Sequence, residues 1–139
     1  FSLYKSGTES DMVKDAAASN GKAASVIGTC KEWSIMANLG KFLDASTYTW
    51  QVSAMVRIDA KADAPQTDAG VDCGIYDSPN RKAICEMTVP VKDFAGSTYQ
   101  RIDLGAHKLS GEICIWFMPT QNPAVTKVYV DRIILIREK

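Results

Sequence analysis

Tyr48-Thr49-Trp50-Gln51-Val52-Ser53-Ala54-Met55-Val56-Arg57-Ile58-Asp59 is the stretch that decides the fold. Tyr48, Trp50, Val52, Ala54, Val56 and Ile58 share one parity, and Thr49, Gln51, Ser53, Met55, Arg57 and Asp59 share the other. That period of two belongs to a strand with one face in a core and the other mostly wet. The same reading sets Trp33, Ile35, Ala37 and Leu39 inward, then Val71, Cys73 and Ile75, then Ile102 and Leu104, and then Ile113, Ile115 and Phe117. Further strands are expected over Ser2 to Lys5, Ala23 to Gly28, Lys82 to Val89 and Lys127 to Arg137. The last of these is apolar on nearly both parities, so its inward face stays open. A helical period is confined to Met12 to Ala18.

Turn chemistry separates the runs at Ser19-Asn20-Gly21, Ala64-Pro65, Ser78-Pro79-Asn80, Ala95-Gly96-Ser97, Ser110-Gly111 and Gln121-Asn122-Pro123. About nine short antiparallel strands at this spacing predict an all-β sandwich or barrel. The 139 residues suit one domain, 1–139, and 46% apolar residues suffice for a core without metals or disulfides. With no initiator Met and no signal-like stretch at Phe1, the chain reads as a module excised from a longer protein.

Sixteen basic and sixteen acidic residues cancel, which argues against nucleic acid or an anionic bilayer as partner. No apolar run approaches the ~20 residues of a membrane span, so no membrane insertion is expected. Cys30, Cys73, Cys85 and Cys114 contain no CxxC pair and have only His107 beside them, a poor basis for zinc. A turn centred on Pro79 would set Cys73 opposite Cys85, leaving a disulfide or two buried thiols as alternatives.

Val13-Lys14-Asp15-Ala16-Ala17-Ala18-Ser19-Asn20-Gly21-Lys22-Ala23-Ala24, followed by Glu32-Trp33 and closed by Val128-Tyr129-Val130-Asp131-Arg132-Ile133-Ile134-Leu135, resembles galactose-binding-like jelly-roll domains. Carbohydrate-binding modules of bacterial polysaccharide-degrading proteins are the subset it is most similar to. The resemblance implies a β-sandwich jelly roll and a structural calcium where an early acidic loop meets an Asp on the last strand. Asp15 and Asp131 match that arrangement, although the family's Glu-Ala-Glu opening is missing from Phe1 to Lys5. Calcium takes six to eight hard oxygens, and Ser19, Asn20 and loop carbonyls are available to join the two acids. The competing reading is that Asp15 caps a turn over Ala16 to Ala18 while Asp131 pairs with a Lys or Arg.

Catalysis has little to stand on. His107 lies in Gly105-Ala106-His107-Lys108, which reads as a turn, and the nucleophile-elbow, zincin, phosphate-loop and dinucleotide motifs are missing. Asp72 and Glu112 are a candidate carboxylate pair of the kind glycoside hydrolysis uses, but sixteen acids will offer such pairs in any sandwich.

Sugar binding needs flat apolar plates for C–H faces and polar groups for hydroxyls. The outward parity offers Met55 and Arg57, Asp72 and Tyr76, Tyr99 and Arg101, then Cys114, Trp116 and Met118. Trp116, out of phase with Ile113, Ile115 and Phe117, is the expected stacking residue, while Trp33 and Trp50 read as core. Arg57 and Arg101 would bind vicinal hydroxyls or a uronate, and Asp72 would accept from hydroxyls. Alternatively these aromatics lie beneath Ser6 to Val13 or Lys61 to Asp68, or ligand is held in end loops around Lys31, Tyr48, Asn80 and Gln121. The reading is a non-catalytic module that tethers a secreted, periplasmic or surface polysaccharide-active protein to a polysaccharide or oligosaccharide. Its rival is a structural sandwich packing on a covalent neighbour domain.

Overall fold

The computed structural model describes residues 1–39, 48–94, 96–109 and 112–138. The Ser110-Gly111 turn and Ala95 of the Ala95-Gly96-Ser97 turn lie outside those residues. Ten strands run in order: β1 (Ser2–Leu3), β2 (Ser10–Lys14), β3 (Lys22–Ile27), β4 (Ile35–Asn38), β5 (Thr49–Ala60), β6 (Ala69–Asp77), β7 (Lys82–Pro90), β8 (Gln100–Lys108), β9 (Ile113–Pro119) and β10 (Val125–Arg137). They form two five-stranded antiparallel sheets, β1-β4-β9-β6-β7 and β2-β3-β10-β5-β8. This is the expected all-β sandwich, with one strand more than anticipated.

Between the sheets lies one apolar core. Val52, Ala54, Val56 and Ile58 of β5 meet Val71, Cys73 and Ile75 of β6 and Ile113, Ile115 and Phe117 of β9 within it. The inward parities read from those strands hold. Tyr48 is the exception on β5: it precedes the strand and is exposed, with Arg137 over its ring at 4.5 Å.

Irregularities in the ladders account for what the pattern missed. On β10, Val130 pairs with Val56 and Arg132 with Met55, so Asp131 is an extra, bulged residue. One inserted residue reverses the parity: Val128 and Val130 face the core before the bulge, and Ile133 and Leu135 pack on it after. That is why β10 is apolar on both parities. A second bulge displaces the β6–β7 hairpin, where Tyr76 pairs with Ala83 but Ile75 with Cys85. Cys73 therefore faces Met87, two residues away from the pairing a Pro79-centred turn would give, and the four cysteines are free thiols. Burial, with Cys85 and Asp72 adding to it, pushes the Cys73 thiol up to about 12.

The expected helical stretch at Met12 to Ala18 is instead β2 followed by a turn. Met12 and Val13 pair with Ala24 and Ala23 on β3, and the edge-strand hydrogen bonds outweigh a period too short to nucleate a helix. Among the described residues, no helix is long and apolar enough to cross a membrane.

Candidate functional site

The first sheet offers its outer face as the site. On β9, Trp116 points away from the core and stands directly opposite Gly74 of β6. A Cβ at Gly74 would come 2.9 Å from the Trp116 ring and 2.4 Å from the Cys85 carbonyl oxygen. Glycine is what lets the indole lie down on the sheet. Trp33 then stacks on it, centroids 4.8 Å apart and planes 6° from parallel, and Tyr76 meets Trp33 edge-on at 5.1 Å. The geometry is that of favourable aromatic pairs.

Two sequence expectations are corrected here. Trp116 is on the outer face, as its parity required, but it is only 4% exposed because Trp33 covers it. Trp33 is not core. It precedes β4, where the chain bends at Glu32 before regular pairing begins at Ile35, so the strand's parity does not extend to it. The covering group is thus a single aromatic residue rather than residues 6–13 or 61–68. Half-buried Trp33, and not Trp116, is the indole that meets solvent.

Beside this stack runs an open groove of about 380 Å³, lined by Trp33, Trp116, Met118, Asp72, Glu86 and Thr88 together with Met87. Thr88 donates its hydroxyl to Asp72 across the β6–β7 pairing, which orients the carboxylate at the groove wall. Lys31 and Gln121 continue the surface beyond Asp72 and Met118. Tyr48 and Asn80 lie at the opposite end of the strands, Asn80 bonded into the hairpin turn by Asp77.

Arg57, Tyr99 and Arg101 were expected on this same face. They sit on the outer face of the second sheet, across the core, because β5 and β8 belong to that sheet. Parity alone identifies outward residues and does not distinguish the two outer faces. Arg57 is held by Asp15 at 2.8 Å and Asp59 at 2.6 Å, with its guanidinium 3.8 Å above the Tyr129 ring. Tyr99 donates its hydroxyl to Asp15 at 2.7 Å. Arg101 is exposed and donates Nε to Ser53 at 3.0 Å. Burial disfavours the Arg57 charge, but its bonds to Asp15 and the field of Asp59 outweigh this and raise its pKa.

The same contacts test the calcium reading. Asp15 accepts the Ala17 amide on one carboxylate oxygen, and Arg57 and Tyr99 on the other. Asp131, on the β10 bulge, accepts the Ser19 amide and hydroxyl on one oxygen and Arg132 on the other. Asn20 turns its side-chain oxygen to the Lys22 amide. Every one of these oxygens is engaged by a hydrogen-bond donor, and a guanidinium already neutralises Asp15. As arranged, the set does not fit calcium, and the described residues contain no cluster of three or more His, Cys, Asp or Glu that could hold a metal. We expect the melting temperature to be equal in 1 mM calcium and in excess chelator; a chelator-induced drop of several degrees would restore the metal, since a ligand of the folded state adds its binding energy to stability.

The candidate catalytic pair does not come together. Asp72 stands opposite Met118, while Glu112 precedes Ile113, which pairs with Asp77 five residues further along β6. Glu112 is thus about six residues, or about 20 Å at strand spacing, from Asp72, beyond the ~9.5 Å upper limit for paired glycosidase carboxylates. His107 is tied to the Leu104 carbonyl at 2.6 Å beside Gly105, whose φ of +88° marks the β8 irregularity.

No protein-family profile and no curated protein matches the sequence. Solved structures do match the fold. The CBM22-1 xylan-binding domain of Paenibacillus barcinonensis Xyn10C superposes with a TM-score of 0.59 at 12% identity, covering 99% of this chain and 85% of that one. The shared architecture is the two-sheet β-sandwich. The Clostridium thermocellum xylanase 10B CBM22-1–GH10 modules, solved with xylohexaose, give a TM-score of 0.51 at 14% identity over 92% of this chain and 24% of that one. The arabinose-bound α-L-arabinofuranosidase MgGH51 gives 0.55 at 9% identity over 93% and 22% respectively. The matched β-sandwich spans under a quarter of those two longer chains, and at these identities the likeness is one of fold.

Proposed function

We propose that this module is non-catalytic and binds a neutral polysaccharide along the outer face of the β1-β4-β9-β6-β7 sheet. In this reading it tethers a secreted or surface polysaccharide-active protein to its glycan. The observation that carries the reading is the Trp33–Trp116 stack at the edge of an open groove whose other polar wall groups are Asp72, Glu86 and Thr88. Trp33 supplies the plate for a sugar's C–H face. Asp72 and Glu86 accept from hydroxyls, and Tyr76 braces the plate from its edge.

The charge of the groove selects among glycans. Asp72 and Glu86 line it without an arginine or lysine, whereas Arg57 and Arg101 lie on the other sheet. A backbone of carboxylate-bearing sugars would be repelled there, and a neutral one would not. Xylan is the first polysaccharide to test, because two of the structural matches are xylan-binding or xylo-oligosaccharide-bound modules.

Tryptophan fluorescence titrated with a panel of soluble polysaccharides tests this directly. The expected result is saturable quenching or enhancement by a neutral glycan with Kd on the order of 10 to 1000 μM. The affinity should be the same at 50 and 500 mM NaCl, because no ion pair is formed that salt could screen. Absence of a response to every neutral glycan, or preference for a polyuronate backbone, would overturn the assignment.

A further inference from the structure

A second cavity, of about 580 Å³, opens at one end of the sandwich, between the loop that follows β5 and the turn that follows β7. Its size falls in the range of small-molecule sites. Ile58, Val91 and Phe94 form its apolar wall, and each is buried in the main core, so the wall is firm. Lys61, Gln66 and Lys92 provide the polar rim. Backbone bonds hold that rim in shape: the Lys92 amide donates to the Gln66 carbonyl at 2.9 Å, the Val91 amide to Asp68 at 2.8 Å and the Lys61 amide to Ala124 at 2.8 Å.

The charges of this cavity are unbalanced. Asp59 is the acid that lines it, and both its carboxylate oxygens are taken, one by Arg57 at 2.6 Å and one by the Tyr129 hydroxyl at 2.7 Å. Neither Lys61 nor Lys92 has an ion pair among the described residues. Two exposed lysines therefore line a space whose one carboxylate is already neutralised, beside an apolar wall. A small anion alone would leave that wall unused.

The cavity also connects to the aromatic groove through shared residues. It shares Lys61 with a cleft that includes Gln121, the cleft shares Gln121 with the surface around Lys31, and that surface shares Asp72 and Met118 with the groove. A glycan lying on Trp33 and extending past Lys31 and Gln121 would arrive at Lys61.

We propose that this end cavity is a second glycan subsite, which takes a single sugar unit bearing a carboxylate. The apolar wall of Ile58, Val91 and Phe94 packs against the ring, Lys61 and Lys92 pair with the carboxylate, and the Gln66 side-chain oxygen accepts from a hydroxyl. It rests on the glycan-binding reading for its ligand class. The two sites divide the work by charge, neutral units on the aromatic groove and an acidic unit at the end.

Amide chemical-shift mapping of the whole chain with sodium D-glucuronate, D-glucose and sodium acetate separates this site from the groove. Glucuronate is expected to shift the amides of Lys61, Gln66, Lys92 and Phe94 while leaving the Trp33 and Trp116 indole signals in place. Glucose should not shift those amides, and acetate should require at least tenfold higher concentration. Raising NaCl from 50 to 500 mM should weaken the glucuronate response at least threefold, since partly exposed pairs are screened. The Lys61→Glu, Lys92→Glu double substitution should abolish it. The subsite is overturned if glucuronate leaves these amides unmoved, if acetate acts at equal concentration, or if the double substitution still responds. Neutral-polysaccharide fluorescence of that variant reads the groove independently: retention there, whatever happens with glucuronate, keeps the two readings apart.

Discussion

If the aromatic groove binds a neutral polysaccharide as proposed, Trp33→Ala is expected to abolish that binding while leaving the fold intact. A ring stacked on a flat ligand contributes about 1 to 3 kcal/mol, which converts to a roughly five- to 150-fold loss of affinity. With a total of only about −4 to −7 kcal/mol at micromolar to millimolar Kd, such a loss removes measurable retention. The stability cost should be small. Trp33 is half-buried and its main partner is Trp116, so truncation forfeits a stacking contribution of about 0.5 to 1.5 kcal/mol plus some exposed area. Affinity electrophoresis and urea denaturation on the same variant check both halves. Unchanged retention would place the ligand elsewhere, whereas lost retention with a collapsed fold would make Trp33 a structural cover only.

Arg57→Met should have the largest effect on stability, about 3 kcal/mol. Its side chain is 11% exposed, and removing the guanidinium leaves the carboxylate of the equally buried Asp15 side chain without its cation. Asp59, 42% exposed, loses a partner but keeps access to water, which holds the expected cost at the lower end of the usual range. Urea midpoints at pH 7 test this, and a loss below about 1 kcal/mol would show the cluster to be idle.

Acid should act through the same cluster. Burial alone would raise the Asp15 pKa, but the Tyr99 hydroxyl, the Ala17 amide and Arg57 together hold it below the ordinary carboxylate value. A depressed folded-state pKa contributes stability above the unfolded value near 4 and loses it as pH falls through the lower, folded one. Asp15→Asn should therefore be less stable at pH 7 and should show a flatter decline below about pH 4. An acid limb identical to the wild type would exclude Asp15 from the linkage.

The inability of sequence to place this cluster has a specific cause. Arg57 and Asp72 are both outward by parity, and a period of two carries no information about which sheet a strand joins. That depends on β5 pairing with β8 and β10 while β6 pairs with β7 and β9, contacts set by residues far apart in the chain. Trp33 was misplaced for a related reason, since its parity was extended from β4 through a segment that the structure bends. The bulge at Asp131 concealed the inward face of β10, because an extra residue changes parity without leaving a turn signal in the sequence.

By itself, the sequence determined the strand-built class, the inward residues of β5, β6, β8 and β9, and the outward parity of Trp116. Those follow from alternation, a local property in which each side chain's face is set by its neighbours' spacing. Only the tertiary structure decided that Trp33 closes over Trp116, that the arginines expected beside it stand on the opposite sheet, and that Asp15 meets Arg57. These depend on strand pairing and bulges, which arise when distant segments meet, and a single residue of register moves a side chain from one face to the other.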